Sequence, residues 1–133
     1  MIAWVWLAAL SFTASGPAHA ASGSWMATLP RQTLAASERP LESAAVAAPA
    51  HVDAGVITRV HWSFTVSAPN SPLEAWLCQG SLCVALSSTQ GKTERFQGRS
   101  ATQAFRFRFR RPAITASGTA VVSHGRLIVD YEH

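Results

Sequence analysis

From Val56 onward the chain alternates apolar and polar side chains. In Val60-His61-Trp62-Ser63-Phe64-Thr65-Val66 the alternation is strict. Successive side chains of a strand point to opposite faces, so Val60, Trp62, Phe64 and Val66 share one buried face. Phe105-Arg106-Phe107-Arg108-Phe109-Arg110 repeats the pattern more cleanly still, with phenylalanines for a core and arginines for water. Pro112 ends that strand, because proline has no N–H to give to a ladder. Leu73 to Cys78 and Cys83 to Ser87 read as two strands joined by Gln79-Gly80-Ser81-Leu82, a connection suited to a hairpin. Ala68-Pro69-Asn70-Ser71-Pro72 and Thr89-Gln90-Gly91-Lys92 read as turns. Thr119 to Ser123 and Arg126 to Tyr131 read as two closing strands, with His124-Gly125 as the turn between them. Short strands at this spacing predict an all-β fold: a small antiparallel β-sandwich, or a partly open barrel, with one disulfide inside a hairpin.

The first part of the chain is less regular. Residues 21–55 are rich in Ala, Ser and Pro, with prolines at Pro30, Pro40 and Pro49. Trp25 to Leu29 fits a short strand. Leu41 to Ala48 has helical propensity, and Pro40 would sit in its first turn. An extended segment along a sheet edge is the preferred reading. Upstream, Ile2 to Phe12 is an apolar run, shorter than the roughly 20 residues a membrane-spanning helix needs. Gly16-Pro17 and then Ala18-His19-Ala20 follow, the small-x-small pattern of a signal-peptidase site. The expected organisation is a signal peptide over 1–20 and one β-domain over 21–133, exported to the periplasm. A buried apolar element or an uncleaved anchor is the alternative, since no Lys or Arg precedes the run. No later stretch is long enough to cross a bilayer.

Composition adds limits. A length of 133 residues is one domain's worth. With 48% hydrophobic and 14% charged residues, the chain is not of the disordered class. The net charge is +4 and the isoelectric point about 10.0. Every Lys and Arg lies at Arg31 or later, so the whole excess stays with the exported part. A basic balance permits nucleic acid, anionic membrane or acidic protein partners, and export disfavours nucleic acid. Arg106, Arg108 and Arg110 should project from one strand face, with Arg111 at its end. They form a candidate docking surface for an acidic protein or anionic head groups. The plainer alternative is a solvated face whose like charges discourage edge-to-edge aggregation. Base stacking needs exposed aromatics, and the alternation buries Phe105, Phe107 and Phe109.

Cys78 and Cys83 are the chain's two cysteines. An even count in an exported protein points to a disulfide, and the two residues lie on opposite arms of the expected hairpin. Zinc would need about four ligands. A thioredoxin-like site would need two residues between the cysteines rather than four. Two buried free thiols are the remaining option. His51, His61, His124 and His133 are scattered, as are Glu38, Glu42, Asp53, Glu74, Glu94, Asp130 and Glu132. No Gly-x-Ser-x-Gly elbow, phosphate-cradling glycine loop or metal-ligand spacing is present. The reading is a non-enzymatic protein without cofactor. A pair of acids, or a His–acid pair, converging in one cleft would reopen that question.

The stretch from Val60 to the end resembles the FlhE family of flagellar proteins. The resemblance is carried by Trp62-Ser63-Phe64 and by Trp76-Leu77-Cys78-Gln79-Gly80-Ser81-Leu82-Cys83-Val84-Ala85-Leu86. Gly91-Lys92-Thr93, the Phe105-Arg106-Phe107 run and the terminal Leu127-Ile128-Val129-Asp130-Tyr131 complete it. It implies a periplasmic, non-enzymatic accessory of the flagellum, associated with type III export, with limiting proton leakage through the export apparatus and with swarming. The implied partner is a flagellar export, rod or basal-body component. The cysteines carry over as a structural pair, and no catalytic residue carries over. A second reading is a chaperone-like module that accepts a partner strand, or a cell-wall glycan binder that uses an exposed Trp25 or Trp76.

Overall fold

Strict alternation at Val60–Val66 demands a partner layer for its apolar face, and a second sheet supplies it. The computed structural model describes residues 22–37, 39–67, 72–112 and 118–133. The strands are β1 (Ser22–Leu29), β2 (Gln32–Ala35), β3 (Leu41–Glu42), β4 (Val56–Val66), β5 (Glu74–Gln79), β6 (Leu82–Leu86), β7 (Gln90–Thr93), β8 (Arg106–Arg110) and β9 (Thr119–Glu132). No helix occurs among the described residues. The first sheet runs β1-β9-β4-β7, with β2 also paired to β9, and the second runs β3-β8-β5-β6. All pairings are antiparallel. The expected sandwich is present as two open sheets, and the barrel alternative is not realised. The expected signal peptide, and most of the turn at Ala68–Pro72, lie outside the described residues.

The core lies between the sheets. Val60, Trp62 and Phe64 of β4 and Leu127 and Val129 of β9 face Leu77 of β5 and Phe107 and Phe109 of β8, all buried. The Phe64 ring meets Phe109 edge-on at 5.5 Å between centroids. Trp25 of β1 meets Phe105 at 6.3 Å. Burying each such side chain contributes about 1.5–3 kcal/mol. The alternation in β4 and β8 therefore does what periodicity implies: one side of each strand makes the core, and the other faces water.

The proline-rich first segment is extended, as preferred over the helix. β1 lies along β9 with Trp25 opposite Val129, and β2 continues on the same strand with Gln32 opposite Val122. β3 pairs with β8 through Leu41 opposite Phe109, and Val46 bridges Phe105. One segment thus lines an edge of each sheet.

Three local expectations are corrected. Thr89-Gln90-Gly91-Lys92 is mostly strand rather than turn: β7 is an edge strand with Gly91 opposite Trp62. A Cβ at Gly91 would come within 2.6 Å of the Trp62 ring, so the glycine serves close packing rather than chain reversal. Second, β9 is one strand rather than two. Its register with β4 passes from Ser63↔Arg126 to Thr65↔Ser123, so His124 and Gly125 together oppose Phe64 as a bulge. His124 has φ 53°, the left-handed conformation a turn would also have used. Third, the β5–β6 hairpin turns on two residues rather than four, because Gln79 and Leu82 pair. Gly80 takes φ 59° there, as the first central position of a type II′ turn requires.

The connection from β7 to β8 closes one end of the sandwich. Phe96 and Ala101 are fully buried, and Phe96 meets Phe105 edge-on at 5.3 Å. The Trp25 indole N–H donates to the Ala101 carbonyl at 2.9 Å. Gln79, fully buried, ties this plug to the hairpin. Its amide nitrogen donates to the carbonyls of Ser100 at 2.9 Å and Gln103 at 3.1 Å, and its side-chain oxygen accepts from Arg99 Nε at 2.8 Å.

Candidate functional site

Each sheet presents one outer face to solvent, and the charged side chains divide between the two. On the second sheet, the period-two pattern of β8 turns Arg106, Arg108 and Arg110 outward, with Arg106 the most exposed. These cations are largely engaged by neighbours. Arg108 Nη2 lies 2.7 Å from Glu42 Oε1 across the β3–β8 pair. Arg110 lies 2.6 Å from Glu74 on β5, and Arg106 donates to the Ser43 carbonyl at 3.1 Å. The hydrogen bond from Arg108 and its charge hold the Glu42 carboxyl below the ordinary carboxylate range.

Arg111 does not join the stripe. It is 2% exposed and donates through Nη1 to the carbonyls of Gly118 at 2.8 Å and Leu34 at 3.4 Å. The alternation explains this, because positions 107, 109 and 111 share the inward parity. The outward row is therefore three arginines long.

Trp76 shares this face. It stands opposite Arg108 on one side and Ala85 on the other, half-buried. Beside it the Cys78–Cys83 disulfide crosses the hairpin, with a Cα separation of 4.0 Å. The cysteines occupy the pair next to the turn-closing Gln79–Leu82 pair, where antiparallel strands approach most closely. The disulfide reading is thereby met, and the metal, redox-spacing and free-thiol alternatives fall away. Trp25, the other stacking candidate, is 3% exposed and belongs to the core.

The outer face of the first sheet carries residues that sequence reasoning did not bring together. In register, Ile128, His61 and Lys92 form one row across β9, β4 and β7, and Arg126, Ser63 and Gln90 form the next. Ser63 is the short side chain amid longer ones, and a groove of about 640 Å³ opens there. A second hollow of about 290 Å³ shares Ser63, Gln90 and Arg126 and reaches Thr65 and His124. His61 Nε2 lies 2.9 Å from Asp130 Oδ2. Alternation alone places His61 on the polar face. The register that brings Asp130 to it depends on a bulge near Thr58, which no local signal marks.

The His61–Asp130 contact is the His–acid pair that would reopen the question of catalysis. It sits on an open sheet face, with the two side chains 36% and 37% exposed. A hydrolase that works through a serine or cysteine nucleophile needs that nucleophile hydrogen-bonded to the imidazole. Among the described residues the His61 ring bonds only to Asp130. No group of three or more His, Cys, Asp or Glu side chains suited to a metal ion occurs among them either.

The family model described as flagellar protein FlhE matches residues 32–132. A solved structure, a crystal structure of FlhE, superposes with a TM-score of 0.74 at 28% sequence identity, covering 86% of this chain and 100% of that one. No curated protein sequence matches the chain. The matched span takes in every strand but β1, with the disulfide hairpin, and the solved fold is shared over its full length, so this chain belongs to the FlhE family of flagellar proteins.

Proposed function

We propose that this protein is a periplasmic, non-enzymatic accessory of the flagellum. In this reading it binds a component of the type III export apparatus or the rod and limits proton leakage through it, with a consequence for swarming. The observation that carries the proposal is family membership over residues 32–132, together with the shared solved fold. Residues 1–20 act as a cleavable signal peptide in this reading, and 21–133 as the working domain. The disulfide is consistent with an oxidising compartment. No described helix is long and apolar enough to cross a membrane.

The physical basis is a stiff sandwich that presents polar faces, with binding in place of chemistry. Deleting the gene in flagellated cells is expected to lower cytoplasmic pH in acidic medium and to reduce swarming. Complementation with the full chain should restore both. An equal pH drop in cells that lack the export gate would refute a role at that channel. The arginine stripe enters as a proposed partner face through Arg106, Arg108 and Arg110. Replacing all three with Ser should leave the fold intact at a modest cost, since each partly exposed ion pair lost contributes about 0–1 kcal/mol. Unchanged capture of the flagellar partner by that variant would mark the stripe as a solvated face.

Two features favour a second reading. Trp76 offers a half-buried indole on an outer face, the geometry for stacking on a sugar ring. β6 is an edge strand of uncharged residues, Leu82-Cys83-Val84-Ala85-Leu86, paired on one side to β5, and such edges accept partner strands. Sedimentation with purified peptidoglycan, comparing the wild type with Trp76→Ala, separates glycan binding from protein binding.

A further inference from the structure

On the outer face of the first sheet Lys92 and Arg126 have no ion pair among the described residues, as is true of Arg106 in the stripe, which donates to a backbone carbonyl. Arg108 and Arg110 each face a carboxylate of the chain itself, as does Arg59, which lies 2.9 Å from Glu94. Lys92 and Arg126 line the groove on the outer face of the first sheet, one on β7 and one on β9, on either side of Ser63. The nearby acids are engaged, Asp130 by His61 and Glu94 by Arg59.

The backbone supports the same place. His124 holds φ 53° without being glycine, a strained conformation that recurs at binding sites. Glycine would meet the bulge's need at less cost, yet the position carries an imidazole that lines the adjoining hollow. Along β4 the groove and the adjoining hollow together span His61 to Thr65, about 13 Å at the usual strand rise, or roughly four residues of extended peptide. Met26, 52% exposed, stands opposite Ile128 and adds an apolar bank. Cations across an open groove with an apolar margin fit an extended peptide that carries acids beside an apolar residue better than a bare polyanion.

We infer that this groove binds an extended acidic segment of a protein partner. Lys92 and Arg126 meet its carboxylates, and His124 and Gln90 donate to it. The inference rests on the flagellar-accessory reading only for the identity of the partner; the site and the ligand chemistry stand on the groove itself.

The test is fluorescence anisotropy of the purified full chain with a labelled oligoglutamate peptide bearing one central leucine, at low and moderate salt. Lys92→Gln with Arg126→Gln is expected to weaken binding about tenfold or more, the loss of two contacts worth about 0.7 kcal/mol each or more. It should also flatten the salt dependence. His124→Gly should weaken binding several-fold while leaving the thermal midpoint equal or higher, a pairing that a merely structural histidine would not give. The Ser triple variant of Arg106, Arg108 and Arg110 should bind within about twofold of wild type. No binding by the wild type at low salt overturns the inference, as does loss in the stripe variant with none in Lys92→Gln/Arg126→Gln. Equal binding of the peptide without leucine, or of inorganic polyphosphate at matched charge, overturns the peptide assignment. Crosslinking from Ser63 in flagellated cells tests the reading beneath it. Peptide binding without a flagellar crosslink sinks the flagellar reading alone, whereas a flagellar crosslink that survives Lys92→Gln/Arg126→Gln sinks this inference alone.

Discussion

Replacing Gln79 with Met removes the polar atoms that tie the end plug to the disulfide hairpin while keeping most of the side chain's volume. In the folded protein the Gln79 amide gives two hydrogen bonds to backbone carbonyls and receives one from the Arg99 guanidinium, at a fully buried position. Two neutral bonds at about 1 kcal/mol each and one to a charged group at about 1.5–3 sum to about 4 kcal/mol. Methionine's better transfer into the core offsets about 1 kcal/mol of that, leaving a net loss of about 3 kcal/mol. With a urea slope of about 1–3 kcal/mol per molar, the unfolding midpoint should fall by about 1–3 M. Part of the loss should be local. The amides of Gly98 and Ala101, which bond to the carbonyls of Ile57 and Gly55, should lose hydrogen-exchange protection before the β4 and β9 amides do. Arg99→Met combined with Gln79→Met should show a coupling energy of about 1 kcal/mol or more, because the two side chains share a bond. A destabilisation under about 1 kcal/mol, or unchanged exchange at Ala101, would refute the assignment of Gln79 as the tie between plug and hairpin.

Other substitutions test other links. Cys78→Ala with Cys83→Ala opens a very short loop, so the chain-entropy argument gives a loss of about 2 kcal/mol; coincident urea curves with and without a reductant would show that the disulfide contributes nothing. Gly91→Val places a side chain where the Trp62 ring already lies, 2.6 Å from the nearest ring carbon, and should cost about 1–3 kcal/mol as overpacking. Trp62 fluorescence should shift with it, and an unchanged melting midpoint would contradict the packing. Glu42 titrates below the ordinary carboxylate range because of Arg108. Its contribution to stability is therefore present above the unfolded-state value and is lost as pH falls through the lower folded midpoint. Carboxyl NMR should place the Glu42 midpoint lower in wild type than in Arg108→Ser, and equal midpoints would remove the ion pair from the account.

What the sequence makes legible here is which face a side chain takes, and what it hides is which strands meet. Val60, Trp62 and Phe64, and Phe107 and Phe109, declare their buried face by period alone, and the sandwich follows because two such strands need each other. Parity also carried information that a reading of short segments passes over. Ala120 and Val122 are buried at even positions and Leu127 and Val129 at odd ones. One continuous strand with a one-residue bulge gives that switch, whereas His124-Gly125 taken by itself resembles a turn. Counting from Phe107 and Phe109 would likewise have placed Arg111 inside, although its charge argued for water. The end plug has no such signal, because Phe96 and Ala101 sit in an irregular segment and owe their burial to Gln79, a residue whose polarity suggests the surface. The groove is hidden for a different reason. His61, Lys92 and Arg126 lie on three strands, and each is an ordinary outward residue until register sets them side by side. A stripe along one strand can be seen in the chain, but a site across strands cannot. The arginines at alternate positions of one strand stand out in the chain, yet the fold supplies Arg108 and Arg110 with carboxylates and leaves Lys92 and Arg126, like Arg106, without one among the described residues.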